Sequence, residues 1–113
     1  MSNAPKVTVE MINDLILSEH YFTAAEGVGG SYAKLAQRYP DPDVVHPAME
    51  LLTFCVIVLK NGFTVTGESA CLSPDNFNAK TGRDVARDNA IGKIWMLEGY
   101  RIKSDLHQAE GHA

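Results

Sequence analysis

Residues 51–70, LLTFCVIVLKNGFTVTGESA, decide the fold of this chain. Leu51–Leu59 is apolar at odd and even positions alike, which predicts a strand that is covered on both faces. Asn61-Gly62 follows and favours a two-residue hairpin turn, because both residues readily adopt a positive φ. Phe63–Ala70 then alternates in polarity, as a strand does when its two faces differ. The stretch therefore predicts an antiparallel hairpin.

The two-residue loop also predicts the register of this hairpin. Val58 is expected to pair with Val65, and Cys55 to lie opposite Glu68. Cys55 is then not opposite Cys71, so no direct cross-strand disulfide is expected. Three polar residues of the return strand share the face of Cys55 and Ile57 in this register, namely Thr64, Thr66 and Glu68.

Helical patterns flank the hairpin on both sides. Thr8 is expected to cap a short helix with one apolar face, made of Met11, Ile12, Leu15 and Ile16. Ser73-Pro74 predicts the start of a long helix, because Ser favours the N-cap and Pro the first helical position. This helix is expected to run to about Leu97 and to end before Gly99.

The other stretches are predicted to be irregular or briefly extended. Residues 1–7 are expected to be a loose leader, 26–47 a long loop rich in glycine and proline, and 107–113 a frayed tail. Short extended segments are predicted over 20–23 and 100–103. Together the patterns predict a single α+β domain in which a small antiparallel β-sheet packs against one long and one short α-helix.

The charge of the chain restricts its partners. Ten Lys and Arg against fourteen Asp and Glu give a net charge of −4, whereas a surface that binds DNA or RNA polymers needs a basic face. A small anionic ligand remains compatible, because a few arginines suffice to hold one. No apolar run approaches the roughly 20 residues that span a bilayer. Neither a membrane nor DNA or RNA is therefore expected as a partner.

The chain shows no sequence signature of catalysis. Its four histidines are scattered and its two cysteines are expected to be reduced thiols in the cytoplasm, so no metal site and no cofactor are predicted. It has no phosphate-binding glycine loop, no nucleophile elbow and no zinc-protease motif. No catalytic residue is assigned, and the protein is predicted not to be an enzyme.

Two arginines on the predicted long helix are candidate ligand-binding residues. Arg83 and Arg87 stand four residues apart, where like charges repel each other. A bound anion would relieve this repulsion, because guanidinium groups bind phosphate and carboxylate through two hydrogen bonds. A carboxylate such as Glu68 would do the same. The alternative is a structural role, in which the arginines pair with Asp84, Asp88 or the edge of the sheet.

Three further residues complete the set of candidates. Asn76 and Phe77 are predicted in the first turn of the long helix, where free N–H groups and the helix dipole favour an anion. Phe63 follows the hairpin turn, where its ring is free to stack on a base. For both phenylalanines the alternative is that the ring fills the core.

Several segments resemble a family of short phage and prophage proteins known by a gene-49/gene-66 product label. The most specific are NGFTVTGES at 61–69 and GRDVAR at 82–87, with further agreement over 18–28 and 94–100. This family in turn resembles the first-described type of Thoeris anti-defence protein. Such proteins are sponges: they bind a cyclic ADP-ribose isomer (gcADPR) made by bacterial TIR enzymes and do not degrade it. Some also bind cyclic di- or trinucleotides of the CBASS pathway.

The resemblance implies a phage protein that sequesters a cyclic nucleotide signal in the host bacterial cytoplasm. It also implies an aromatic ring that stacks on the adenine, with Arg and Asn side chains on the ribose and pyrophosphate. The candidates for these roles are Phe63, Asn76, Phe77, Arg83 and Arg87.

Self-association is expected as well. A homo-oligomer, dimer or higher, is predicted because the chain has a doubly apolar strand and many aromatics for its length, and because one small copy offers little concave surface. The alternative function is a non-enzymatic phage module that binds a host protein, with its arginines in salt bridges.

Overall fold

The computed structural model describes residues 5–35 and 45–111, and its first element is a short helix. This helix, α1, spans Val9–Leu15 and begins as predicted, because Thr8 Oγ1 accepts a hydrogen bond from the N–H of Met11 at 3.2 Å. Ile12 is the buried residue of α1. Residues 5–8 have no regular secondary structure.

Three antiparallel strands follow and form one sheet. They are β1 (Ile16–Thr23), β2 (Leu52–Leu59) and β3 (Thr64–Ala70), in the spatial order β1-β2-β3. A 31-residue helix, α3 (Ala79–Ala109), packs mainly against β3 and β2. The predicted α+β fold is therefore confirmed.

The register of the hairpin differs by one residue from the prediction. Leu59 donates its N–H to the carbonyl of Phe63 at 2.8 Å, so the loop has three residues rather than two. Gly62 has φ +89°, and Asn61 does not share this conformation. Cys55 consequently lies opposite Gly67. A slip of one residue exchanges the faces of a strand, so Thr64, Thr66 and Glu68 point away from α3.

Residues 24–35 form a helix, α2 (Ala24–Leu35), where the glycine content predicted a loop. Thr23 and Glu26 start it with reciprocal hydrogen bonds: the N–H of Glu26 donates to Thr23 Oγ1 at 3.1 Å, and the N–H of Thr23 donates to Glu26 Oε1 at 2.9 Å. This capping box satisfies two N–H groups that a helix start leaves open. The loop prediction is wrong here. Residues 36–44 lie outside the described residues, and Pro47–Leu51 forms a 3-10 turn.

The long helix begins later than predicted. Asn78 is its N-cap, with Oδ1 accepting a hydrogen bond from the N–H of Thr81 at 3.0 Å. Ser73-Pro74 opens a separate 3-10 turn, Pro74–Asn76, instead. The hydrogen bonds of that turn use the N–H groups of Asn76 and Phe77. The prediction that these residues offer free N–H groups at the helix start is therefore wrong.

The long helix also ends later than predicted. It continues through Gly99 to Ala109, so the predicted end near Leu97 and the extended segment over 100–103 are wrong. Of the predicted frayed tail, 107–113, residues 107–109 are helical, and residues 112 and 113 lie outside the described residues. A glycine inside a helix costs about 1 kcal/mol. Arg101 offsets part of this cost, because its ion pair with Glu98 spans the glycine.

One line of residues at i+4 spacing forms the face of α3 that packs on the sheet. It consists of Gly82, Ala86, Ala90, Ile94 and Glu98. Ala79, Arg83 and Leu97 are exposed and lie outside this packed line. The buried face joins Ile12, Ile57 and Val65 in one hydrophobic core.

The two faces of β2 differ in their burial. The residues that face α3, among them Cys55 and Ile57, are fully buried, whereas the alternate residues are half-buried. On that second face the rings of Phe22 and Phe54 stack at 5.5 Å between centroids. Within the described residues of one copy, β2 is therefore not covered on both faces, although its sequence predicts that it is.

Gly67 allows α3 to approach β3 at backbone distance. A Cβ atom at this position would lie 2.2 Å from the carbonyl oxygen of Ala86 and 2.4 Å from the amide nitrogen of Ala90. Asn89 fixes the same approach, because its Nδ2 donates to the carbonyl of Glu68 at 2.8 Å. The helix therefore rests directly on the strand.

We expect Gly67→Ala to destabilise the fold by about 3 kcal/mol, since an added methyl group must displace backbone rather than a flexible side chain. Urea unfolding measures this change. Gly92→Ala is the matched control: a Cβ at Gly92 meets nothing within 4 Å, and alanine favours a helix by about 0.5–1 kcal/mol over glycine. A Gly67→Ala variant as stable as the original protein would contradict the close approach.

Candidate functional site

A cavity of about 680 Å³ opens beside β1 where α3 begins. It exists because α3 packs on β3 and β2 and leaves the helix-facing side of β1 partly uncovered. We call this cavity the α3–β1 pocket. Its lining residues come from six elements and their connections: Tyr21, Phe22, Thr23, Glu26, Glu50, Leu51, Thr53, Pro74, Phe77, Ala79 and Arg83.

The charged lining residues of the α3–β1 pocket are Arg83, Glu26 and Glu50. Within the part of the chain that the structure describes, no hydrogen bond or ion pair engages the Arg83 guanidinium, and the residue is exposed. The Glu26 carboxylate accepts the capping hydrogen bond from Thr23. The pocket thus offers one guanidinium donor beside two carboxylate acceptors.

Arg87, one helical turn beyond Arg83, is engaged in a bidentate ion pair. Its Nε donates to Glu19 Oε1 at 2.7 Å and its Nη2 to Glu19 Oε2 at 3.4 Å. The Tyr21 hydroxyl donates to the same Oε1 at 2.7 Å. The sequence left open a pairing with Asp84, Asp88 or the sheet; the observed partner lies on the sheet, on β1. Glu68 cannot take this role, because the register turns it to the other face.

The ionisation of this cluster follows from its contacts. The hydrogen bond from Arg87 holds the pKa of the Glu19 carboxyl below its usual value. Burial, followed by the hydrogen bond to Glu19, raises the pKa of Tyr21. Burial also raises the pKa of the neighbouring Cys55 thiol. At neutral pH the cluster therefore combines a charged ion pair with a neutral phenol and a neutral thiol.

The structure brings part of the predicted site together. Phe77 and Arg83 line the α3–β1 pocket, and the half-buried Phe77 ring lies against Gly82 at the start of α3. Asn76 is exposed and lines a smaller adjoining cavity of about 150 Å³ that also borders Phe77. Arg87 lies one helical turn from Arg83, and its guanidinium is engaged in the ion pair with Glu19.

Phe63 lies apart from the other candidates. It lines a separate cavity of about 520 Å³ with Met96 and Leu97, near the hairpin loop. The helix rises 1.5 Å per residue, so about 20 Å separates Arg83 from Leu97. The Phe63 ring is 56% exposed and does not fill the core. One small ligand cannot contact Phe63 and Arg83 within a single copy.

Sequence reasoning missed the acidic members of the site. Glu26 carries a readable signal, since Thr23-x-x-Glu26 is a capping-box pattern. Glu19 and Glu50 carry none, because only tertiary packing brings β1 and the first 3-10 turn next to α3. Among residues 5–35 and 45–111, no cluster of histidine, cysteine and carboxylate side chains is arranged to hold a metal ion. No helix in the same ranges has the length and apolar character that crossing a bilayer requires.

Comparison with known proteins identifies the family. The sequence profile of the Phage protein (N4 Gp49/phage Sf6 gene 66) family matches residues 7–106. The chain belongs to this family. The match includes the hairpin, the 3-10 turn before α3 and most of α3, and hence every candidate site residue. Neither the curated proteins nor the solved structures gave a match to the chain.

The Glu19–Arg87 ion pair predicts a pH-dependent stability. A lowered carboxyl pKa stabilises the fold above the unfolded-state pKa of about 4.3, and this contribution disappears as the pH falls through the folded-state value. We expect Glu19→Gln to cost about 1 kcal/mol at neutral pH, since the pair is partly exposed. The deficit should vanish below the folded-state pKa, where Glu19 is itself uncharged.

Urea unfolding at neutral and acidic pH measures this difference. Asp105→Asn is the control, because it removes an exposed ion pair with Arg101 and should change stability by less than about 0.5 kcal/mol. An equal deficit for Glu19→Gln at both pH values would show that the ion pair is not its origin.

Proposed function

We propose that this phage-family protein is an anti-defence sponge that binds and sequesters a cyclic ADP-ribose-type signal without degrading it. The observation that carries the proposal is the α3–β1 pocket, whose lining combines an aromatic ring, Phe77, with the guanidinium of Arg83, which no ion pair among the described residues engages. Membership of a phage protein family supports the biological setting. The resemblance to Thoeris anti-defence proteins supports the class of ligand.

The chemistry of the pocket suits a nucleotide. The Phe77 and Tyr21 rings supply apolar surface for a base, and guanidinium groups bind phosphate oxygens through charge-assisted hydrogen bonds. Carboxylates are acceptors for ribose hydroxyls, and Glu26 and Glu50 line the same cavity. A volume of about 680 Å³ lies in the range of small-molecule sites.

Sequestration requires affinity and no chemical step. We therefore propose that the protein acts by binding alone in the host bacterial cytoplasm, and that cyclic di- or trinucleotides are further ligands. Self-association as a dimer or higher oligomer is part of the proposal. The half-buried apolar face of β2 supports it, because a second copy would complete the burial of that face.

Calorimetry with cyclic ADP-ribose and its glycosidic isomers tests the proposal directly. We expect binding of one of these isomers, and heat denaturation of the loaded protein should release the ligand intact. Recovery of a hydrolysed product would show that the protein is an enzyme. Absence of binding to every isomer would remove the proposed function.

The role of Arg83 gives a sharper prediction. Arg83→Ala should weaken binding by about 1.5–3 kcal/mol, the contribution of a charge-assisted hydrogen bond, which is roughly one to two decades in Kd. Stability should stay within about 0.5 kcal/mol, because Arg83 is exposed and the substitution breaks no hydrogen bond or ion pair of the described residues. Lys103→Ala, an exposed change far along α3, should alter neither quantity. A normal Kd in the Arg83 variant would contradict its assignment as the anion-binding residue.

A second candidate function is supported by a different surface. Met96, Leu97 and Tyr100 are exposed apolar residues on the half of α3 next to the hairpin loop, and the exposed Phe63 beside that loop lines one cavity with Met96 and Leu97. Exposed apolar patches often mark protein-binding surfaces. A non-enzymatic module that binds a host protein would use this surface and leave the α3–β1 pocket empty, so calorimetry with the nucleotides distinguishes the two functions.

A further inference from the structure

The charge balance of the α3–β1 pocket depends on a residue outside its lining. Among the described residues, two carboxylates, Glu26 and Glu50, and one guanidinium, Arg83, line the pocket, so this lining carries one more negative than positive charge. Arg87 stands one turn from Arg83, where side chains of a helix are neighbours. Its positive charge would cancel this excess of negative charge if it were available to a ligand.

The ion pair with Glu19 neutralises the positive charge of Arg87, so that this charge is not available to a ligand in the pocket. Both of its carboxylate oxygens accept hydrogen bonds from Arg87, and Oε1 also accepts one from the Tyr21 hydroxyl. Tyr21 is itself a wall of the pocket. The ion pair therefore lies directly behind that wall, partly screened from solvent, with exposed fractions of 36% for the Arg87 side chain and 27% for Glu19.

We infer that Glu19 determines the ligand specificity of the α3–β1 pocket. Because Glu19 neutralises Arg87, Arg83 is the guanidinium that a ligand meets. The pocket therefore favours nucleotides without a terminal phosphate over nucleotides that carry one. The inference rests on the proposed function. A pyrophosphate diester such as that of cyclic ADP-ribose carries one charge on each phosphate. A terminal phosphate adds further negative charge, which the acidic lining repels and one guanidinium does not balance.

The experiment compares two ligands: ADP, and the cyclic ADP-ribose isomer that binds the unaltered protein most tightly. The quantity measured is the Kd of ADP divided by the Kd of that isomer. Glu19→Gln removes the carboxylate charge and releases Arg87, so this ratio should fall by about three- to tenfold at low ionic strength. Arg87→Ala leaves the Glu19 carboxylate unpaired, so the ratio should rise. The double variant Glu19→Gln/Arg87→Ala restores the charge balance and should return the ratio towards its original value.

Opposite changes in the two single variants separate specificity from structural damage, because damage would weaken binding of both probes in both variants. Asp105→Asn is the matched control: it changes the net charge as Glu19→Gln does, but at the far end of α3, and should leave the ratio unchanged. Raised salt should shrink the differences, since it screens the charges.

The possible outcomes distinguish this inference from the proposed function. Binding by the unaltered protein, with a ratio that Glu19→Gln leaves unchanged or raises, overturns the inference and leaves the proposed function intact. Changes of the same direction in both single variants also overturn it, as does an equal change in Asp105→Asn. If the unaltered protein binds none of the cyclic ADP-ribose isomers, the proposed function and the inference fail together.

Discussion

The contact between Gly67 and the backbone of α3 at Ala86 and Ala90 is the constraint on which the rest of the structure depends. Without a Cβ at Gly67, the helix approaches β3 at backbone distance, and the small residues of α3 then lie over β3 and β2. A helix seated so closely on one side of the sheet leaves the helix-facing side of β1 partly uncovered. The α3–β1 pocket is a consequence of that seating.

The same close packing of α3 on β3 also determines where the charged side chains of the site lie. Arg87 reaches across to β1 and pairs with Glu19, whereas Arg83, one turn earlier, meets no such partner among the described residues and borders the pocket. Two arginines that are equivalent in the sequence thus differ in availability. This difference underlies both the proposed binding role of Arg83 and the proposed role of Glu19 in specificity.

Local signals predicted several elements correctly and failed where long-range contacts decide. The Thr8 cap, the β2–β3 hairpin and the long helix were read from local patterns, and the structure has all three. The helix α2 was missed although its capping box is visible in the sequence, because its glycines favour a loop. The register was wrong for a different reason: β2 is apolar at every position but one, so its pattern does not show which face turns towards the core.

The sequence by itself determined the fold class, the long helix and the residue types of a candidate site, because these follow from hydrophobic periodicity, turn chemistry and composition. Tertiary structure alone decided which of those residues meet. It selected a three-residue loop, because that loop turns Gly67 and Val65 towards α3. It joined Glu19 to Arg87 across 68 positions of chain, and it separated Phe63 from Arg83 along the helix. Periodicity describes the faces of one element, whereas a site depends on how the faces of different elements are set against each other.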